Sequence, residues 1–171
     1  MKTSLDFIKK AKNIKMLIMD VDGTLTDGKI YLGNQGEELK TFNVKDGLGI
    51  KLLEEYNIST ALITGRKSKI VDLRARELGI KEVHQGIDSK IEVYNYLKKK
   101  YNIEDKEIAY VGDDINDFEL LKKVGLSLTL NDAIPEVKEE CDFISSKKGG
   151  EGAVREIIDY IIESKNISRV D

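Results

Sequence analysis

Lys15-Met16-Leu17-Ile18-Met19-Asp20-Val21-Asp22-Gly23-Thr24-Leu25-Thr26-Asp27-Gly28 is the stretch that decides the fold. Four apolar residues, Met16 to Met19, run straight into two aspartates spaced two apart, and glycine follows. An uninterrupted apolar run of that length, closed by a turn pair, predicts a buried strand of a parallel sheet. Ligands of open α/β sheets sit beyond the carboxyl ends of the strands, where Asp20 and Asp22 fall. Residues i and i+2 of an extended chain point the same way, so both carboxylates can face one ligand. Two carboxylates at one strand tip call for a counter-ion, and hard, oxygen-preferring Mg²⁺ suits them. Taken alone, the stretch also reads as an ordinary Asp-Gly turn.

Outward from it, the pattern alternates. A short amphipathic helix over 4–12 precedes the strand. After it, Lys29 to Leu32 and Glu37 to Phe42 flank a Gly/Asn-rich turn, which predicts a projecting β-hairpin, a flap over about 26–44. Helical spacing follows over 47–57, then a buried strand from Ser59 to Ile63 that ends in Thr64-Gly65-Arg66. Next come a helix over 67–78 stopped by Gly79, a brief strand from Glu82 to His84 and a helix over 89–101 with Lys90 near its start. The strand Glu107 to Val111 ends in a second acidic tip, Gly112-Asp113-Asp114-Ile115-Asn116-Asp117. A helix over 115–123, a strand over 126–130, a short helix near 132–139 and a strand near 142–144 continue the alternation. Lys147 to Gly152 reads as a flexible link into a last helix over 153–163, and 164–171 as a loose, flexible tail. Such alternation predicts one α/β domain over 1–171, a Rossmann-like three-layer sandwich on a parallel sheet.

Composition narrows the function classes. With 28 basic and 31 acidic residues in 171, the chain has no overall basic field to attract nucleic acid. The single cysteine, Cys141, fits a reducing compartment and reads as a small buried hydrophobe. No apolar run approaches the ~20 residues of a membrane span, so the cytoplasm is the expected location. His84, the one histidine, reads as structural.

If the sheet is parallel, Asp20, Asp22, Thr64, Asp113, Asp114 and Asp117 meet at one edge, with Lys90 supplying a cation from a helix start. Carboxylates from two strands can hold Mg²⁺ and leave room for phosphate oxygens. A hydroxyl and an ammonium offset the charge of a transferring phosphoryl group. One aspartate can then attack phosphorus, while a second protonates the leaving oxygen and later activates water. The chemistry is phosphoryl transfer through a covalent intermediate, ending in hydrolysis.

These residues resemble, in order, the four motifs of the haloacid dehalogenase-like phosphatases. The resemblance implies that Asp20 is the nucleophile and Asp22 the general acid/base. It implies that Thr64 and Lys90 hold the phosphate. Asp20, the main-chain carbonyl of Asp22 and Asp113 would bind Mg²⁺, with Gly65, Asp114 and Asp117 in support. Neither gap between motifs has room for a cap domain, so a neighbouring subunit is expected to close the site.

Thr26-Asp27-Gly28, Phe42-Asn43-Val44-Lys45-Asp46-Gly47, Thr64-Gly65-Arg66 and Gly149-Gly150-Glu151-Gly152-Ala153-Val154-Arg155-Glu156 look like the 3-deoxy-D-manno-octulosonate 8-phosphate phosphatase family. That family is a capless homotetramer of lipopolysaccharide sugar synthesis, with hairpins in a central barrel and tails that reach a neighbour's site. The likeness implies substrate contacts at Asp22, Asn43, Val44, Lys45, Asp46, Gly47, Lys51, Arg66, Arg74 and Lys90. Extra cations suit a sugar acid, whose carboxylate lies far from its phosphate. Glu151, Lys45 and Lys51 stand where the family often has arginine, so a nine-carbon sugar acid 9-phosphate is the alternative substrate. Arg66 favours the eight-carbon acid. Two other classes stand against this reading, a phospho-acceptor signalling module and an inactive assembly subunit. The carboxylate two residues after Asp20 favours turnover over a long-lived phosphoryl group.

Overall fold

The structure, a computed structural model, describes residues 4–167. Six strands form one parallel sheet: β1 (Met16–Met19), β4 (Ser59–Thr64), β5 (Glu82–Gln85), β6 (Ile108–Val111), β7 (Leu126–Thr129) and β8 (Phe143–Ile144). Their order is β5-β4-β1-β6-β7-β8. β1 is central, with Met19 paired to Leu62 of β4 and to Val111 of β6. All four of its residues are buried, as the apolar run predicts.

Alternate residues of β1 feed two cores. Leu17 and Met19 pack with α1 (Leu5–Asn13), α2 (Val44–Leu52), α3 (Lys69–Leu78) and α7 (Ala153–Ile167). Met16 and Ile18 pack with α4 (Lys90–Tyr101), α5 (Phe118–Leu121) and α6 (Pro135–Glu139) on the other face. The three layers are therefore as expected, and among the described residues only a small hairpin stands where a cap would be inserted. That hairpin joins β2 (Tyr31–Gly33) and β3 (Gly36–Leu39), shorter than predicted and broken by a register shift between Tyr31 and Leu32.

Three boundaries differ for local reasons. The helix expected over 47–57 is α2 plus a 3₁₀ turn, Leu53–Tyr56. It starts early because the Asn43 side chain accepts the Lys45 N–H at 2.8 Å and caps it. The helix expected over 115–123 is a 3₁₀ turn, Ile115–Asp117, followed by α5, because an Asp114/Asp117 capping box tightens its start. The last helix extends through residue 167, so half of the predicted loose tail is helical, and 168–171 lie outside the described residues.

Lys147 to Gly152 is not a loose link. Gly149 N–H donates to Asp132 Oδ1 at 3.0 Å, and Gly150 N–H to the Thr24 carbonyl at 3.2 Å. A Cβ at Gly149 would lie 1.8 Å from the Gly23 carbonyl oxygen. Only glycine lets this segment lie against the Gly23–Thr26 turn that follows Asp22.

Candidate active site

The parallel sheet delivers the motif residues to one edge. β1 ends at Asp20 and Asp22, β4 at Thr64, and β6 at Asp113, Asp114 and Asp117, while Lys90 opens α4. Asp20, Asp22, Thr64, Gly65, Arg66, Asp114 and Asn116 line a cavity of about 190 Å³.

Lys90 is the electrostatic hub. Its side chain is buried and its Nζ lies 2.7 Å from Asp20 Oδ1, 2.5 Å from Asp117 Oδ1 and 3.2 Å from Tyr110 Oη. Burial alone would lower its pKa, but the carboxylates of Asp20 and Asp117 outweigh that and raise it, so Lys90 is an ammonium.

Asp117 has no oxygen to spare. Oδ1 takes Lys90 and the Tyr110 hydroxyl, and Oδ2 accepts the N–H groups of Asp113 (2.9 Å) and Asp114 (3.3 Å). It braces the Asp113–Asp114 loop. Thr129 Oγ1 braces the same tip by donating to the Gly112 carbonyl at 2.7 Å.

Asp20, Asp113 and Asp117 carry oxygens within 4.8 Å of one another, a group that could hold a cation. Burial, with repulsion from Asp117, pushes Asp20 up to about 7 despite Lys90. Burial, then the charges of Asp20 and Asp117, pushes Asp113 up to about 7 as well. Carboxylates so strained by their own charge are what a divalent cation relieves, and with Asp117 fully bonded, Asp20 and Asp113 are the oxygens open to it.

Other predicted residues fall elsewhere in the chain. Asn43, Asp46, Gly47 and Arg74 line a small recess with Phe42, and Val44, Gly47, Lys51 and Arg74 line an open groove beside it. Lys45 is exposed at the start of α2. Asp46 is buried and accepts the Arg155 N–H at 2.7 Å, which ties α2 to α7. Arg74 donates to the Asn43 carbonyl at 3.3 Å and to Glu77 at 2.8 Å. Asp20, Asp22, Thr64, Lys90, Asp113, Asp114 and Asp117 share this edge, and sequence reasoning gave no role to four further groups there. The Tyr110 hydroxyl meets Lys90 and Asp117, Thr24 donates to Asp113 Oδ1 at 3.0 Å, Asn116 lines the cavity, and Lys40 pairs with Asp22 from the hairpin. Thr24 and Asn116 lay inside the two acidic strand-tip stretches and Tyr110 near the end of β6, whereas Lys40 carried no positional signal. His84 sits 3.2 Å from Glu82 and does not line the cavity, and burial pushes the Cys141 thiol up to about 12.

Comparison with known proteins agrees with this geometry. A haloacid dehalogenase-like hydrolase family profile matches residues 79–158. The chain is 47% identical to the 3-deoxy-D-manno-octulosonate 8-phosphate phosphatase KdsC of Escherichia coli K12, over 93% of this chain and 85% of that protein. The crystal structure of the phosphatase of that name from Yersinia pestis superposes with a TM-score of 0.93 at 44% identity, covering 95% of this chain and 88% of that one. The enzyme from Moraxella catarrhalis, solved with magnesium, phosphate and KDO, superposes with a TM-score of 0.91 at 42% identity, covering 94% and 92%. Motifs, strand-edge geometry and similarity over nearly the whole chain agree: it belongs to the 3-deoxy-D-manno-octulosonate 8-phosphate phosphatase family of haloacid dehalogenase-like hydrolases.

Proposed function

We propose that this protein is a Mg²⁺-dependent phosphomonoesterase that hydrolyses 3-deoxy-D-manno-octulosonate 8-phosphate to the sugar acid and phosphate, in lipopolysaccharide sugar synthesis in the cytoplasm. The observation that carries this reading is the buried Asp20 carboxylate, held by Lys90 and set beside Asp113 at the mouth of a polar cavity. The KdsC relatives supply the substrate class.

Asp20 attacks phosphorus, forming an O–P bond as the bond to the sugar oxygen breaks, and Asp22 gives that oxygen its proton. Asp22 then takes a proton from water as the water oxygen attacks phosphorus, and Asp20 is released. Thr64 and Lys90 hold the phosphoryl oxygens. Asp20, the Asp22 carbonyl and Asp113 would hold Mg²⁺, which when bound would offset phosphoryl charge. Gly65, Asp114 and Asp117 keep these groups in place.

Arg66, on the same cavity, is the cation we assign to the sugar acid. Asn43, Val44, Lys45, Asp46, Gly47, Lys51 and Arg74 line or flank separate grooves, so their substrate role requires a neighbouring subunit's α2 to face the cavity. Exposed apolar residues on the hairpin (Leu32, 74%; Leu39, 63%) and on α2 (Val44, 77%) support a homotetramer built through these faces.

Phosphate release from a panel of phosphorylated sugars and sugar acids, with Mg²⁺ or EDTA, tests the proposal. The expected result is Mg²⁺-dependent release with strong preference for the eight-carbon acid, lost in Asp20→Asn. Preference for a nine-carbon acid would replace the substrate and keep the chemistry. Full activity of Asp20→Asn would end the covalent route.

A further inference from the structure

Lys40 breaks the pattern of the hairpin that carries it. Its neighbours Leu39 and Thr41 are exposed, yet the Lys40 side chain is 1% exposed and turned inward. An apolar residue pointing to water beside a cation pointing inward is the reverse of what burial favours, and such reversals mark functional positions. Burying a lysine carries a desolvation cost that a carboxylate partner must offset. Here the receiver is Asp22, whose Oδ1 takes Lys40 Nζ in a hydrogen-bonded ion pair.

The surrounding groups leave this task to Lys40. Lys90, the other buried cation of the site, is engaged by Asp20, Asp117 and Tyr110. Thr26 pins the hairpin's first leg, accepting the Gly23 N–H at 3.3 Å and the Gly28 N–H at 3.2 Å. Asp22 stands at the entry to the hairpin and Lys40 at its exit, so their bond joins both legs across the edge of the cavity. With Oδ1 occupied, Oδ2 is the Asp22 oxygen left to handle a proton.

We infer that Lys40 is a positioning residue that holds the Asp22 carboxylate in line for proton transfer, making the hairpin's return leg part of the catalytic apparatus. This rests on the proposed role of Asp22 as general acid/base. It also adds a consequence: a displacement of the hairpin reaches the chemistry through one side-chain bond.

The test separates proton transfer from folding and from substrate identity. An alkyl leaving group, as in 3-deoxy-D-manno-octulosonate 8-phosphate, needs a proton; p-nitrophenolate does not. In Lys40→Met, kcat/KM on the alkyl phosphate is expected to fall about 30-fold or more, a part of the roughly 10²–10⁴-fold that general acid catalysis supplies, and on p-nitrophenyl phosphate less than about threefold. Lys40→Arg is expected to restore most of the alkyl rate, and Lys40→Met added to Asp22→Asn to cost little more than Asp22→Asn alone. Lys40→Gln, which keeps the polar reach without the charge, carries the same comparison if Lys40→Met does not fold. Equal losses on both substrates, or no loss on either, would overturn the inference. If the wild-type chain cleaves other alkyl phosphates but not the sugar acid phosphate, the substrate assignment fails while the Lys40 comparison proceeds on those esters. A chain that cleaves no ester at all overturns both.

Discussion

Burial pushes the Asp20 and Asp113 carboxyls up to about 7, and neighbouring negative charge adds to it. In the unfolded chain each returns to the ordinary carboxylate value of 3.8. Between those values the folded state binds more protons, so the stability tied to these groups is complete below about pH 4 and is lost as pH rises through about 7. In EDTA the melting temperature is therefore expected to fall from pH 5 to pH 8, and Mg²⁺ should restore it at pH 8 by binding only the folded form. Mg²⁺ affinity should rise across the same window, with proton release measurable by calorimetry. A melting temperature that climbs with pH in EDTA would contradict this account. Tyr110 offers a second probe, since its hydroxyl lies between Lys90 and Asp117. Tyr110→Phe is expected to cost about 1–2 kcal/mol of stability. It should also lower kcat roughly tenfold with KM nearly unchanged, because Lys90 loses one of the groups that aim it. Steady-state kinetics that show only a KM change would remove Tyr110 from that role.

At the scale of elements, the segment around Gly149 is the sharpest test. A methyl group there meets main chain at Gly23 and Thr26, which cannot swing aside as a side chain would. Gly149→Ala should cost about 2 kcal/mol or more and reduce turnover together with melting temperature. Unchanged values of both would mean the two loops are not in contact. This segment also marks where sequence reading stops. Asp20, Asp22, Thr64, Lys90, Asp113 and Asp117 were legible because each stands at a strand tip or helix start, where topology alone fixes the edge. Gly149-Gly150 reads locally as a flexible link, since nothing nearby states that the Thr24 carbonyl, far back in the chain, will receive it. Lys40 is similar: a hairpin lysine has no periodic signal, and its partner was named only by tertiary structure. The start of α2 was misplaced because apolar spacing was followed where the Asn43 cap decides.

For the whole molecule, apolar exposure is the outstanding feature. Tyr31, Leu32 and Leu39 leave the hairpin uncovered, and Val44, Leu48 and Leu73 do the same on the α2 and α3 side. If the proposed tetramer forms through these faces, Leu32→Lys with Leu39→Lys is expected to give smaller species in analytical ultracentrifugation, with activity on the sugar acid phosphate falling alongside. A wild-type chain sedimenting as a monomer would remove the need for that interface. Shortening the chain is informative only beyond α7, because Ala153, Val154, Ile157, Ile158 and Ile161 are fully buried in the core. Deleting 168–171 keeps all of α7, so a change in turnover at an unchanged melting temperature would report on the tail itself.

The contact between Gly149-Gly150 and the turn after Asp20 sets a schedule for biosynthesis. Asp20 leaves the ribosome well before β4 and β6, the strands that flank its own, and its loop is backed by a segment some 125 residues later. A nascent chain therefore carries Asp20 through the synthesis of those residues without a formed site around it, and the edge is complete only after Gly149-Gly150 has emerged.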